Sequence, residues 1–193
     1  MEVNKKCRVM KMKKELLVVM LASILSSIGA GIFGPVYLLY YQKIGGYSEI
    51  SMAFGIFWIA LALMEIPFGY LSDRFDRKIF IIIGGILTSF VSLFYIFIKT
   101  VFELYLLEFL SGVATSIQKP SLQSLISEMA SKKERGKIFG LFSSTVNLSY
   151  GVASLLSGIL IGIFGISSIF IVSSLFQLTS TLIAFKIRKY AFE

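Results

Sequence analysis

The sequence predicts an all-α membrane protein with six transmembrane helices, and three observations carry that prediction. Hydrophobic residues make up 56% of the 193 residues and charged residues only 16%, against about 25% charged residues in soluble globular proteins. Mean hydropathy is +0.82, which is more apolar surface than a soluble chain of this length can bury. Six charge-poor apolar stretches of 20 or more residues recur along the chain, and about 20 helical residues cross a bilayer core.

Short polar connections separate the six stretches. The stretches do not alternate as the strands of a transmembrane barrel do. Helices are therefore expected, because they satisfy their own backbone hydrogen bonds in lipid. The expected spans are Leu16–Tyr41, Ile50–Leu71, Ile79–Ile98, Leu104–Ser127, Ile138–Phe164 and Ile166–Phe185. The first is 26 residues long, longer than the about 7–15 apolar residues of a signal peptide core, so we expect it to be retained.

The distribution of lysine and arginine predicts the orientation of the bundle. Sixteen of the 19 basic residues fall in the leader, the second and fourth connections and the tail, which lie on one side of a six-span protein. Both termini are then cytoplasmic by the positive-inside rule. The domains expected are a basic cytoplasmic leader (1–14), a six-helix transmembrane bundle (15–186) and a cytoplasmic tail (187–193), in a multi-pass protein of the cell membrane. The net charge of +8 then needs no nucleic-acid partner.

Residue types absent from the chain exclude several kinds of chemistry. There is no histidine, which removes histidine triads and histidine-ligated metals. Cys7 is the single cysteine, so no disulfide forms within the chain. No nucleophile–base pair or metal-ligand cluster is apparent, and the sequence predicts neither an enzyme nor a cofactor or metal ion.

The connection between the second and third spans is the most informative segment, reading EIPFGYLSDRFDRK over residues 65–78. Charges cluster where an apolar helix ends, which predicts a tight cytoplasmic turn. Gly69 permits close approach of another helix. Asp73 can accept hydrogen bonds from the N-terminal amides of a neighbouring helix, and Arg77 can pair bidentately with a carboxylate.

This segment resembles the loop signature of the major facilitator superfamily, Gly-x-Leu-(Ala/Ser)-Asp-Arg-x-Gly-Arg-Lys. The residues that match the signature are Gly69, Leu71, Ser72, Asp73, Arg74, Arg77 and Lys78. Asp76 stands where the family usually has glycine, and aspartate tolerates a left-handed turn better than most residues.

A second resemblance lies in the fourth span and the loop after it. Ser111, Gly112, Ala114 and Pro120 match the span, and Glu128 and the segment 134–140 match the loop. The family often has an arginine four residues before this glycine, where the present chain has Glu108. The resemblance implies that Glu128 is the acidic partner of Arg77.

Family members usually have twelve spans in two six-helix halves with the solute bound between them, and this chain resembles the N-terminal half. It is therefore either a half-size transporter that pairs, as a homodimer or with a partner half, or an incomplete gene product. The function implied is secondary transport of a small solute by alternating access, with the loop motif as a gate. Pairing predicts that Asp73 contacts the partner's fifth span near residues 138–140, where Gly140, Gly151, Gly158 and Gly162 permit close packing. The alternative is that these glycines pack helices within one subunit.

Three ionisable residues fall within the spans: Glu65, Glu108 and Lys119. Such residues are costly in lipid and usually face a cavity or a partner. Glu65 or Glu108 is a candidate proton carrier. The alternatives are an ion pair between Glu65 and Lys119, which lie at matching depth, and a headgroup-level position for Glu108. Four uncharged residues are candidates for a solute site or for helix–helix hydrogen bonds: Gln118, Gln123, Asn147 and Gln177.

An alternative function is a six-span substrate-binding or assembly subunit without independent transport. Substrate-capturing subunits of ATP-driven vitamin importers have similar size and topology. The row Ala22, Ser26 and Ala30 in the first span would suit docking to another membrane subunit. The signature at residues 69–78 favours the transporter.

Overall fold

A computed structural model describes residues 2–34, 36–42, 44–130 and 134–187, with side chains described for these ranges except residues 2–14, 36, 39 and 40. The described residues form six long helices and one short helix, without strands. The helices are α1 (Glu2–Phe33), α2 (Val36–Tyr41), α3 (Tyr47–Arg74), α4 (Arg77–Phe94), α5 (Val101–Met129), α6 (Arg135–Phe164) and α7 (Ser167–Ala184), with a 3-10 turn at Tyr95–Phe97.

Five of the long helices in the described part of the chain are long and apolar enough to cross a membrane: α1 from Glu15, α3, α4 with the 3-10 turn, α6 and α7. Helix α5 has 29 residues, which is enough to span, but it carries Glu108 and Lys119 along its length. The all-helical membrane fold agrees with the sequence. The count of six spans and the cytoplasmic placement of the termini stay predictions.

The first span differs from its expected bounds. The sequence predicts one segment over Leu16–Tyr41, whereas α1 ends at Phe33 and the short helix α2 follows. Gly34 has a φ of +40°, a left-handed conformation that glycine adopts readily and that a right-handed helix cannot continue through. Tyr37 and Tyr41 of α2 are buried in the bundle.

Capping side chains fix the start of two other helices. The Asp76 carboxylate accepts from the Lys78 backbone N–H at the start of α4. At the start of α5, Thr100 and Glu103 form a capping box, which satisfies backbone donors that the first turn leaves free. Hydrogen bonds from the backbone N–H groups of Lys99 and Thr100 lower the pKa of the exposed Glu103 carboxyl.

The long helices pack in the order α3, α5, α4, α7, α1, α6, each mainly against its neighbours in this row. The row curves so that α5 approaches α1 and α6, with only sparse contact between them. Helices α3 and α6 are thus the two ends of the row. Few of their residues are buried compared with those of α1, α4 and α7.

Two apolar clusters close the two ends of the bundle. One contains Val19, Ile81, Ile126 and Ala184, and Arg77, Lys78 and Lys186 lie beside it along the chain; we refer to this as the basic end. The other cluster, at the far end, contains Ile32, Tyr41, Tyr95, Leu104 and Phe170. The described basic residues of the second and fourth connections therefore share one end with residue 187, as the charge pattern predicts. Cys7, Lys43, Lys132, Lys133, Arg188 and Lys189 lie outside the described side chains.

Gly112 is predicted to be essential to the α3–α5 joint. A Cβ at this position would lie 2.6 Å from the Phe57 carbonyl oxygen and 2.9 Å from the Ala60 Cβ. Gly112→Ala should therefore lower stability by about 1–3 kcal/mol, because the backbones must move apart. Thermal unfolding of the purified protein measures the loss. Gly55→Ala, where an added Cβ meets nothing within 4 Å, is the matched control, and equal effects of both substitutions would contradict the packing.

Candidate functional site

The turn between α3 and α4 is organised around Arg77. Its Nη2 lies 3.1 Å from Asp73 Oδ1, and its Nη1 is in close contact with Glu128 Oε1 at the end of α5. The Arg77 side chain is 14% exposed, against 32% for Glu128 and 64% for Asp73. We call these three residues the loop latch. One guanidinium thus joins two helices, and the structure brings Arg77 to Glu128 as the family resemblance implies.

The other basic residues of the motif bind elsewhere. The Arg74 guanidinium lies 4.5 Å from the centre of the Tyr70 ring and donates to its hydroxyl. Lys78 Nζ donates to the Phe185 carbonyl oxygen at 2.7 Å, just after α7 ends. A basic side chain at a helix C-terminus complements the free carbonyls there, so Lys78 ties α7 to the turn.

The structure corrects one expectation about this turn, the left-handed Asp76, and gives the other, a close helix at Gly69, no support within the chain. Asp76 has φ −64° and ψ 112°, which is extended backbone, so it replaces the family glycine as a helix cap and not through a left-handed turn. Gly69 was expected to admit a close helix. A Cβ there would meet only the Pro120 Cβ, at an ordinary 3.7 Å, so nothing within this bundle requires glycine at that position.

Glu65 and Lys119 are brought together between α3 and α5. Lys119 Nζ lies 2.7 Å from Glu65 Oε1, with the two side chains 40% and 33% exposed. Both charges therefore have a partner within the apolar stretch, as polar residues in a membrane require. The pair is therefore only partly buried and can be reached from outside the bundle.

Glu108 lies among aromatic side chains near the far end of the bundle, inside it and not on its surface. It is 2% exposed, and Tyr37 donates a hydrogen bond of 2.7 Å to its Oε1. The rings of Phe33, Tyr37 and Tyr95 contact one another around it. The tyrosine partners of Glu108 could not be predicted from the sequence, because aromatic richness in a membrane chain is ordinarily attributed to lipid contact.

A cavity of about 340 Å³ lies between α1 and α5, in the half of the bundle nearer the basic end. Helices α4, α6 and α7 complete its walls. Gln118, Gln123 and Lys119 line it, whereas the candidate Gln177 is buried and bonded to Ser26. Ala22, Ser26 and Ala30 also line the cavity. That row therefore faces the interior of its own bundle and not a docking subunit.

The glycines of α6 do not pack helices within the chain. A Cβ added at Gly140, Gly151, Gly158 or Gly162 would meet nothing within 4 Å. These positions share one face with the exposed residues Ser143, Ser144 and Asn147. The expectation that the glycines serve only packing within one subunit is therefore wrong, and α6 presents a small, weakly polar face along its whole length.

The family model described as Major Facilitator Superfamily matches residues 19–191. The chain belongs to the major facilitator superfamily. The resemblance read from residues 65–78 is thereby confirmed. Together with the apolar helices, membership makes the chain a multi-pass membrane protein of a transport family, whose members are generally not enzymes.

Relatives within the superfamily differ in length. The chain is 30% identical over 157 residues to an uncharacterized MFS-type transporter of Methanocaldococcus jannaschii, covering 81% of this chain but 41% of that protein. It is 29% identical over 153 residues to the uncharacterized MFS-type transporter YitZ of Bacillus subtilis, covering 79% of this chain and 93% of YitZ. A quinolone resistance transporter of Acinetobacter baumannii is 32% identical over 128 residues, covering 64% of this chain and 29% of that protein. The chain thus spans about two fifths of the archaeal relative's length and has a half-size relative in YitZ.

The two bonds of the loop latch should differ in strength. A double-mutant cycle with Arg77→Gln and Glu128→Gln should give a coupling of about 1 kcal/mol, because the guanidinium is well shielded from solvent. The same cycle with Asp73→Asn should give below about 0.5 kcal/mol, since the Asp73 side chain is mostly exposed. Unfolding free energies of the purified variants measure both couplings, and a larger coupling for Asp73 would contradict the geometry.

Proposed function

We propose that the chain is one half of a secondary transporter that moves a small solute across the cell membrane by alternating access. Two copies form the working unit, with both termini cytoplasmic. The match to a transport family over residues 19–191 carries this proposal. We assign the loop latch the role of a gate between the two access states. A relative named for quinolone resistance supports a small organic solute.

The open faces of α3 and α6 support a dimer. These helices end the packed row, so each packs mainly against one neighbour within the chain and has a long exposed side. Small residues at an exposed helix face suit close contact with another helix in lipid. A two-fold axis along the membrane normal creates two equivalent contacts, in each of which α3 of one copy packs against α6 of the other. The exposed faces of both helices are then covered in both copies.

The loop latch supplies a polar contact across this dimer. Asp73 has one oxygen near Arg77, and its side chain is 64% exposed. Among the described residues, Glu134 at the N-terminus of α6 makes no side-chain cap hydrogen bond. A carboxylate at a helix N-terminus is favoured by the backbone donors there and by the helix dipole. We therefore place Asp73 against the first turn of the partner's α6, which begins at Arg135, three residues before the start near Ile138 that the sequence predicts.

Cysteine cross-linking tests this contact in the dimer. With Cys7→Ser as background, Asp73→Cys combined with Gly140→Cys should give cross-linked dimers in membranes with a short bifunctional thiol reagent. Ser48→Cys combined with Gly140→Cys is the control, because residue 48 begins α3 at the far end. Cross-linking of the control pair alone would contradict the arrangement.

Proton coupling is assigned to Glu65. Its carboxylate forms an ion pair with Lys119, and the Glu65 side chain is 33% exposed, whereas Glu108 is enclosed by tyrosines. A proton on Glu65 cancels the charge that holds Lys119 and so weakens the α3–α5 contact. Such a switch couples protonation to a change of access. Glu108 is assigned a structural role.

Transport in proteoliposomes tests the function and the coupling. We expect a pH gradient to drive saturable accumulation of a solute found by screening organic acids, amines and neutral drugs. Glu65→Gln should abolish accumulation but retain exchange of labelled for unlabelled solute, because only the proton site is lost. Glu108→Gln should lower thermal stability and leave coupling intact. Solute binding without movement would favour the substrate-binding subunit, and unchanged coupling in both variants would exclude the carboxylates.

A further inference from the structure

The ion pair between Glu65 and Lys119 has an open side within one chain. Glu65 Oε1 is buried and lies 2.7 Å from Lys119 Nζ. In the described part of the chain, the second oxygen, Oε2, accepts no hydrogen bond, and the Glu65 side chain is 33% exposed. Glu65 lies nine residues before the end of α3 at Arg74, which is about 13 Å from the basic end. A carboxylate oxygen at this depth needs a protein donor, because lipid offers none.

Exposed polar side chains on α6 lie at the same depth. Ser143, Ser144 and Asn147 are all exposed, and Ser144 follows the start of α6 at Arg135 by nine residues, again about 13 Å. The exposed residues of α4, by contrast, are all large and apolar. A polar row of this kind is typical of a face that contacts another helix and not acyl chains.

Ser144 also differs from other residues of α6 in how its hydroxyl is used. Thr145, Ser149 and Ser157 donate to carbonyl oxygens of their own helix, which is a common arrangement for a hydroxyl in a helix. Among the described residues, none bonds to the Ser144 hydroxyl. Its donor is therefore available to an acceptor on another chain.

The direction of the two helices fixes how residues face one another across the proposed dimer. Helix α3 ends at the basic end and α6 begins there, so α3 is antiparallel to the partner's α6 under a two-fold axis along the membrane normal. Asp73 is placed against the first turn of that helix, which contains Gly136. With Asp73 opposite the partner's Gly136, Glu65 lies eight residues along α3 and faces the partner's Ser144, eight residues along α6.

Two further pairs fit this register independently of the polar one. Gly69 comes opposite the partner's Gly140, and neither glycine is needed within its own bundle, because an added Cβ would meet Pro120 at 3.7 Å or nothing within 4 Å. Trp58 comes opposite the partner's Gly151. Its side chain is 52% exposed and lies about 16 Å from the start of α3 and 24 Å from its end. This is deeper than the interface where tryptophan is enriched, and an opposing glycine leaves room for the ring.

We propose that Ser144 of the partner subunit donates a hydrogen bond to Glu65 Oε2, so that each Glu65–Lys119 pair is completed by the other copy of the chain. Trp58 packs over the partner's Gly151 in the same contact. Two-fold symmetry forms the bond twice. This inference rests on the dimer of the proposed function and deepens it, because it names the residue that one copy contributes to the ion pair of the other and fixes the register of the contact.

Dimer affinity in liposomes tests the bond. Energy transfer between donor-labelled and acceptor-labelled copies, measured over a series of lipid dilutions, reports the fraction of dimer. Ser144→Ala should weaken dimerisation about tenfold or more, because two charge-assisted hydrogen bonds are lost, and Ser144→Thr, which keeps the hydroxyl, should retain the native affinity. Ser149→Ala is the matched control without effect, because the Ser149 hydroxyl bonds within its own helix.

A cycle with the ion pair removed shows whether Ser144 acts through Glu65. In the background Glu65→Leu/Lys119→Leu, which leaves no unpaired charge in the membrane, Ser144→Ala should change the dimer affinity less than about twofold. An unchanged affinity of Ser144→Ala in the native background, an equal loss in both backgrounds, or coupling of the ion pair to Ser143→Ala instead would each overturn the proposal.

Disulfide cross-linking tests the register without altering the ion pair. With Cys7→Ser as background, Trp58→Cys combined with Gly151→Cys should form disulfide-linked dimers in membranes, because the facing Cα atoms come within about 7 Å. Trp58→Cys combined with Gly158→Cys, which lies two turns away on the same face of α6, should not. Linkage of the control pair alone would overturn the register.

Failure of this bond is separable from failure of the proposed function. Dimers that retain the Asp73→Cys/Gly140→Cys cross-link but lack the Trp58→Cys/Gly151→Cys linkage contradict the inferred bond and register alone. A chain that stays monomeric in every lipid mixture contradicts the proposed function as well.

Discussion

Close contact between helix backbones at small residues holds this bundle together. Apolar side chains gain little by leaving lipid for one another, so packing distance and hydrogen bonds decide which helices pair. A Cβ at Gly112 would lie 2.6 Å from a carbonyl oxygen of α3, and one at Gly84 would lie 2.9 Å from the Gln118 nitrogen of α5. Gly31 closely approaches the Tyr150 carbonyl of α6. These joints fix much of the order of the row, and the open glycines of α6 stand out because they have no such neighbour.

The lipid environment also explains how polar groups are arranged inside the bundle. Glu65 pairs with Lys119, Glu108 accepts from Tyr37, and many serine and threonine hydroxyls donate to carbonyls of their own helix or a neighbour. Water is scarce at this depth, so each group needs a protein partner or a ligand. Among the described residues, the hydroxyls of Ser23, Tyr95 and Ser121 are buried without a hydrogen-bond partner, and that of Ser23 faces the cavity between α1 and α5.

Most helix ends could be predicted from the sequence, whereas contacts that depend on tertiary packing could not. The ends of α3 to α7, with the 3-10 turn counted in α4, fall within three residues of the expected spans, because charged residues and Gly165 mark them. The first span was too long, since the break at Gly34 requires a positive φ that composition does not reveal. The Glu65–Lys119 pair could be predicted from the matching depth of the two residues along their helices. The burial of Glu108 could not be predicted, because it depends on α2 folding back to bring Tyr37 to it. The sequence also could not predict which glycines pack against another helix, because that depends on how the helices are arranged.

We propose that the exposed sides of α3 and α6 are covered by a second copy of the chain. Single-molecule photobleaching in liposomes counts the subunits, with one dye per chain and the protein highly diluted in lipid. For a stable dimer, two-step bleaching should persist on dilution, at the frequency set by labelling efficiency. Single-step bleaching at every protein-to-lipid ratio would contradict it.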